Sequence, residues 1–169
     1  MVKIVAIALC CAMMQDVDNA EYKNWAQFKA GTWVKTQMVS EAGGNKTEMM
    51  TTTKLISVDA DKAVVESTTD MKMMGQDIKG QPMKRDVPAK VKKGEPAKDA
   101  PKPEEGDEDV EVGGKKLKCH WTKTVSEAGG TTTTTTVWTN NDVPGTVVKM
   151  SMDGASKMES IVVEYKVEK

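Results

Sequence analysis

The residues with the most obvious capacity for chemistry are Cys119 and His120, which are neighbours in the chain. A thiol and an imidazole can ligate zinc or act as a nucleophile and base. Residues 117–122 alternate apolar and polar side chains, which predicts a half-buried strand. Because successive strand residues point to opposite faces, Cys119 and His120 should diverge. Since the chain has only one histidine, we expect neither a zinc site nor a nucleophile–base pair here. We interpret Cys119 as a small core residue.

Methionine is the second group with chemical capacity. Met71, Met73 and Met74 lie within four residues, and thioether sulfur is a soft ligand that suits Cu(I). Together with His120 and a tryptophan they give a minor alternative function, periplasmic Cu(I) binding. Hard cations have less support, because Asp59 and Asp61 lack the further acidic ligands and the sixth-position glycine of a calcium loop.

Enzymatic activity and nucleic-acid binding have little support in the composition. The sequence contains no nucleophile elbow, and its carboxylates form no pair outside one charged segment, so we predict a protein that is not an enzyme and needs no cofactor. The net charge is -1 and the pI is about 5.9. This balance gives no electrostatic case for a nucleic-acid partner.

The beginning of the chain has the pattern of an export signal. Lys3 precedes an uncharged apolar run at residues 4–14, which is too short to cross a bilayer but fits the central region of a signal peptide. We predict a signal peptide at residues 1–12, with cleavage after Ala12 or as late as Ala20. Leu9 is too bulky for the residue before a lipidated Cys10, which disfavours a lipid anchor.

Export makes the mature protein periplasmic or extracellular, with no transmembrane segment. Residues 21–169 are then about one domain's worth of chain. A short helix or turn is predicted at residues 21–30, and eight or nine short strands joined by turns follow it. The sequence therefore predicts a mainly β fold, a single curved antiparallel sheet or half-barrel.

An internal repeat supports this organisation. Residues 33–44 begin with Trp33 and end in Glu-Ala-Gly-Gly, and residues 121–130 repeat that pattern with two residues fewer. Because the side-chain period of a strand is two, a two-residue deletion leaves all the remaining residues on the same faces of the strand. Both copies are predicted to be hairpins of the same kind, from duplication or from convergent composition.

Residues 92–109 differ from the rest. Large apolar side chains are nearly absent there, and prolines and lysines give way to an acidic cluster. Such a segment cannot offset the entropy of its own ordering, so we predict a disordered loop within the domain, with partner docking as an alternative role.

The second half of the chain carries a family resemblance. Residues 112–119 read Val-Gly-Gly-Lys-Lys-Leu-Lys-Cys, and residues 137–149 contain Trp138 followed by Val-Pro-Gly. This order resembles uncharacterised exported bacterial β-sheet proteins and is more distantly similar to the periplasmic lipoprotein carriers. In those carriers a curved antiparallel sheet forms a half-barrel that is closed by a helix.

Two functions remain open. The first is a binding module whose concave face holds an apolar or lipid-like ligand. The candidate lining residues are Met49, Met71, Met73, Trp138 and either Trp33 or Trp121. The same residues fit an ordinary sheet core. The second is a structural or protein-interaction component of the cell envelope, with threonine-rich strands for edge pairing and the charged loop as a spacer.

Overall fold

The computed structural model describes residues 15–73, 75–93 and 102–168. The predicted signal peptide, residues 1–12, lies outside this part of the chain. The described elements, in chain order, are β1 (Gln15–Asp18), α1 (Ala20–Trp25), β2 (Trp33–Ala42), β3 (Asn45–Val58), β4 (Lys62–Met73), β5 (Gln76–Ile78), β6 (Met83–Pro88), β7 (Lys90–Lys93), β8 (Glu104–Val112), β9 (Lys115–Ala128), β10 (Thr131–Thr139), β11 (Val147–Asp153) and β12 (Lys157–Lys166).

Ten of these strands form one antiparallel sheet. Its order is β5-β4-β3-β2-β12-β11-β10-β9-β8, and β6 pairs with β4 beside β5. The last strand, β12, lies in the middle, between β2 and β11. β1 and β7 form a separate two-stranded sheet. The predicted mainly β class with one large antiparallel sheet and a short helix is confirmed, and the main sheet has ten strands instead of eight or nine.

Three hairpins use the same two-residue turn. The β2–β3, β8–β9 and β9–β10 turns are Gly-Gly pairs, and every one of these glycines has a φ between 56° and 79°. Two-residue hairpin turns of type I′ need positive φ at both positions, which glycine adopts without strain. The two copies of the internal repeat are the β2–β3 and β9–β10 hairpins, so the prediction that they are alike is confirmed.

One face of the sheet carries helix α1, and we call it the helix face. Val34, Thr36 and Thr53 on this face line a cavity together with Trp25 of α1. The opposite face carries Trp33 and the other alternate residues of β2, and we call it the charged face. Directly paired residues share a face, so the register assigns a face to the residues paired across the neighbouring strands.

α1 is fixed to the helix face by a buried amide. Asn24 is 2% exposed; its Nδ2 donates to the Asn141 carbonyl oxygen at 2.9 Å, and the Gly145 amide donates to its Oδ1 at 2.7 Å. These bonds join the helix to the loop between β10 and β11. Trp25, the next residue, is 1% exposed and belongs to the core cluster. The amide therefore positions the indole over the sheet.

The other end of the sheet curls over the charged face. β8 contacts β11 and β12, although β9 and β10 separate it from β11 in the sheet order. A Cβ on Gly113 would lie 3.5 Å from the Val163 carbonyl oxygen, so the β8–β9 turn rests on β12. Val110, Val112 and Cys119 are buried in this curl.

The boundaries of the predicted loop at residues 92–109 need correction. Residues 94–101 lie outside the described part of the chain, but residues 104–109 belong to β8 and residues 92–93 to β7. Three acidic residues of β8 are paired with lysines of β9: Glu104 with Lys123, Asp109 with Lys118 and Glu111 with Lys116. Opposite charges across a ladder stabilise a pair that has few apolar side chains.

The Asn24 bonds give a test of how the helix is held. Replacing Asn24 with Ala removes both hydrogen bonds and leaves their backbone partners unsatisfied, so we expect a loss of about 2–4 kcal/mol in the free energy of unfolding. The matched control is Asn141→Ala, which keeps the carbonyl that accepts the bond and should change stability by less than about 0.5 kcal/mol. Urea unfolding followed by tryptophan fluorescence measures both. Equal effects of the two substitutions would contradict this account.

Candidate functional site

The candidate site is the helix face, because charge is absent from its centre. In β2, β3, β4, β10, β11 and β12, no residue on this face is charged. The opposite face of the same strands carries many charged side chains. These are Lys35, Glu41, Lys46, Glu48, Lys54, Lys62, Glu66, Asp70, Lys72, Lys149, Asp153, Lys157, Glu159, Glu164 and Lys166.

Methionine dominates the uncharged face beyond the helix. The described residues include nine methionines, and eight of them lie on the helix face: Met38, Met49, Met71, Met73, Met83, Met150, Met152 and Met158. Met50 is the ninth and lies on the charged face. A face so rich in flexible thioethers is apolar and adaptable in shape.

The register sets these side chains in a row across the sheet, which we call the methionine row. From β5 to β9 it consists of Ile78, Met71, Met49, Met38, Ser160, Met150, Val137 and Thr122. A second row beside it contains Met73, Met158 and Met152. Most of these methionines are half-buried, but at the β4 edge Met73 is 43% and Ile78 48% exposed. The apolar surface therefore continues to the rim of the sheet.

Hydroxyl groups separate the methionine row from the helix. Thr51 Oγ1 and Thr69 Oγ1 are 2.9 Å apart, and Thr53 Oγ1 and Ser67 Oγ are also 2.9 Å apart. These are cross-strand pairs between β3 and β4. Each hydroxyl has a hydrogen-bond partner on the neighbouring strand. This part of the face therefore exposes threonine methyl groups and no unpartnered hydroxyl of these two pairs.

A cavity of about 200 Å³ lies between α1, the β10–β11 loop and the sheet. Its polar side includes Arg85, whose guanidinium donates two bonds to Glu21 at 2.6 and 3.2 Å. Trp25 lines it and is 1% exposed, yet the indole Nε1 has no hydrogen-bond partner among the described residues. Thr146, in the β10–β11 loop, has a φ of 69°, and its hydroxyl likewise has no partner in this part of the chain. The helix and the loop therefore each contain one buried polar atom that is unsatisfied there.

The residues predicted from the sequence divide between the two faces. Met49, Met71 and Met73 lie together on the helix face. Trp33, Trp121 and Trp138 lie on the charged face, where Trp121 and Trp138 are directly paired. One apolar site cannot include both groups, because the sheet itself separates them.

Two tryptophans of the charged face, Trp121 and Trp138, contact strand β8. Trp138 Nε1 donates to Glu108 Oε2 at 2.9 Å, and Lys149 Nζ lies 5.1 Å from the centre of the Trp138 ring. The Trp121 ring lies against Gly106, where an added Cβ would be 2.8 Å from it. These rings anchor β8 onto the sheet, which is a structural role.

Five methionines of the face were not predicted from the sequence. Met38, Met83, Met150, Met152 and Met158 belong to β2, β6, β11 and β12. Met150, Met152 and Met158 alternate with polar residues in their own strands, so a signal was present there. Their common face depends on β12 lying between β2 and β11, and strand order cannot be read from alternation.

The Cu(I) set predicted from the sequence is not assembled. Met71 is on β4 and His120 on β9, with five strands between them, roughly 29 Å along the sheet at about 4.8 Å per strand. Met74 lies outside the described residues. His120 instead lies beside carboxylates of β8, 3.3 Å from Asp107 and 3.4 Å from Glu105. In the part of the chain that the structure describes, no three His, Cys, Asp or Glu side chains form a metal cluster.

Cys119 is buried on the charged face, opposite to His120, as the alternation predicts. Burial raises the pKa of its thiol, and the nearby carboxylates of Asp109 and Glu108 raise the pKa further. A backbone hydrogen bond from Val110 acts in the opposite direction. The thiol therefore stays protonated and is poorly placed for nucleophilic chemistry.

This state of Cys119 predicts slow alkylation. In the folded protein, iodoacetamide at pH 8 should modify Cys119 at least tenfold more slowly than in the urea-unfolded chain, because the thiol is buried and its pKa is raised. A raised pKa also means that the contribution of Cys119 to stability is lost as the pH rises above about 8.5. Mass spectrometry of the peptide that contains Cys119 measures the rate. Equal rates in the two states would refute the burial.

Comparison with known proteins gives few matches. No protein-family model matches the chain, and no curated protein matches it. Among solved structures, the chain is similar to a putative outer membrane lipoprotein-sorting protein domain from Vibrio parahaemolyticus. The sequence identity is 8% and the TM-score 0.32, over 86% of this chain and 89% of that domain.

A second solved structure, PNGF-II, is similar at 12% identity and a TM-score of 0.28. The match covers 82% of this chain and 28% of PNGF-II. Within the described ranges, no helix has the length and apolar character needed to span a bilayer.

Proposed function

We propose that this protein is an exported, non-enzymatic binding module that holds an apolar, lipid-like ligand on its helix face. The observation that carries the proposal is the methionine row: a continuous, uncharged, half-exposed surface across eight strands of one sheet. The mature domain comprises residues 21–169, after removal of a leader at residues 1–12. It works in the periplasm or outside the cell.

Methionine supports this function better than a purely structural one. The buried core beneath α1 is built from branched side chains such as Val34, Val65 and Val162, which hold fixed rotamers. Methionine takes over where the face opens, and its side chain can repack around ligands of different shape. Each methionine that a ligand covers contributes on the order of 1 kcal/mol.

The cavity beside α1 sets the size of what can be enclosed. A volume of about 200 Å³ is below the usual range for a drug-sized ligand, so it can hold only one end of an extended molecule. The rest of an apolar chain would lie along the open methionine row. Arg85 of β6 and Glu21 of α1 are hydrogen-bonded to each other and both line that cavity.

The alternative function, an envelope component that associates through threonine-rich edges, needs correction. The threonine-rich strands β3 and β10 lie inside the sheet, each between two neighbours. The edge at β8 is acidic instead, with residues 104, 105, 107, 108, 109 and 111 all Asp or Glu. A charged edge opposes strand addition by another sheet. If the protein has a protein partner, the helix face is the better surface for it.

Two adjacent methionines give a matched test. Met49→Lys places a charge in the centre of the methionine row, whereas Met50→Lys places the same charge on the opposite face. We expect Met49→Lys to weaken binding of a fluorescent apolar probe, such as a phenylnaphthylamine or a labelled fatty acid, by at least tenfold. The reason is that burying the lysine ammonium against an apolar ligand costs free energy. Met50→Lys should stay within twofold of the original protein. Fluorescence titration gives both affinities.

Circular dichroism and urea unfolding serve as the control that both variants are folded. The proposal fails if the original protein binds no apolar probe, or if the two lysine substitutions weaken binding equally. Mass spectrometry of the protein purified from a bacterial periplasm adds an independent readout. A co-purifying lipid that is lost in Met49→Lys supports the proposal.

A further inference from the structure

We propose that Met38, Met49 and Met71 also form a binding site for a soft monovalent cation, Cu(I). The three residues lie side by side on β2, β3 and β4, in the centre of the methionine row. This function is separate from apolar-ligand binding, although the two ligands use the same surface. The site differs from the one predicted from the sequence, which relied on consecutive residues and on His120.

The register brings three thioethers to one place. Met49 is directly opposite Met38 on one side and directly opposite Met71 on the other. Directly opposed residues have Cβ atoms about 4.5–5.5 Å apart. Methionine has three rotatable bonds, so the two outer side chains can lean toward Met49 and present their sulfurs to one ion. By contrast, Met71 and Met73 are two residues apart on one strand, and Lys72 between them lies on the other face.

The surroundings select a soft cation over a hard one. The directly paired neighbours on the same face are Ser160 and Ile78, and the next side chains along the three strands are Thr36, Ser40, Thr47, Thr51, Thr69 and Met73; none of them carries a charge. Mg²⁺ and Ca²⁺ need carboxylate or carbonyl oxygens, which these neighbouring side chains do not contain. Thioethers are neutral, soft donors that suit Cu(I). All three methionines are half-buried, so an ion held among them is partly shielded from water.

The choice of side chain supports a role for sulfur itself. The chain contains thirteen methionines but only three leucines, although leucine is among the commonest residues in proteins. Apolar contact alone could be made by leucine at these positions. Leucine has nearly the same volume as methionine and no donor atom. Replacing methionine by leucine therefore separates the two functions of the face.

The experiment titrates the full chain with Cu(I) under anaerobic conditions, in competition with a chromophoric chelator, and compares Met49→Leu with Met50→Leu. We expect Met49→Leu to lower the Cu(I) affinity at least tenfold and Met50→Leu to leave it within twofold. The cysteines are the same in both variants, so their contribution cancels in the comparison. Ag(I), which does not change its oxidation state here, should shift the ¹³C-methyl NMR signals of Met38, Met49 and Met71 and leave that of Met50 in place.

The same variants distinguish this site from the apolar one. Met49→Leu should lower the Cu(I) affinity by a much larger factor than the affinity for the apolar probe, because leucine preserves the apolar surface but supplies no sulfur donor. Equal Cu(I) affinities in Met49→Leu and Met50→Leu overturn the metal site and leave the apolar function standing. Equal losses of Cu(I) affinity and probe affinity in Met49→Leu also overturn the metal site. In that case the shape of the side chain, and not its sulfur atom, would determine both affinities.

Discussion

The structure depends on the strict alternation of side chains along paired strands. Every strand residue is committed to one face, and directly paired residues share it. In β2, β3, β4, β10, β11 and β12 the alternation places every lysine, glutamate and aspartate on one face and every methionine except Met50 on the other. A slip of one residue in a single pairing would place charged residues in the methionine row, so the register of β2, β3, β4 and β12 determines both the core and the candidate site.

The two faces are covered in different ways. On the helix face, α1 covers the end of the sheet where Val34 and Val162 are buried, and Asn24 fixes that helix to the β10–β11 loop. On the charged face, the sheet covers itself, because the acidic strand β8 curls toward β11 and β12. The uncharged face is thus half covered by a short helix, and the remaining half is the surface that binding would use. This uncovered half is a surface of half-exposed apolar side chains, which is typical of interaction sites.

Much of this fold can be predicted from local sequence. The Gly-Gly turns locate three hairpins, and the alternation within residues 33–40 already puts Val34, Thr36 and Met38 opposite Trp33. Two things cannot be predicted in this way. The position of β12 between β2 and β11 decides which methionines become neighbours, and this long-range pairing leaves no mark in either strand. The strand at residues 104–109 is stabilised by opposite charges on β9, whereas its own composition indicates a loop. The sequence therefore predicts only part of the site. The predicted methionines of β3 and β4 lie on the helix face, whereas the predicted tryptophans lie on the charged face.

The segregation of methionine to one ligand-binding face is tested most directly by oxidation footprinting. Brief peroxide treatment of the folded protein, with and without a saturating apolar ligand, is followed by mass spectrometry of each methionine-containing peptide. The account predicts that the ligand slows the oxidation of Met38, Met49, Met71, Met150 and Met158 several-fold while the rate at Met50 is unchanged. Equal protection of Met49 and Met50, or no protection at any of these residues, would contradict it.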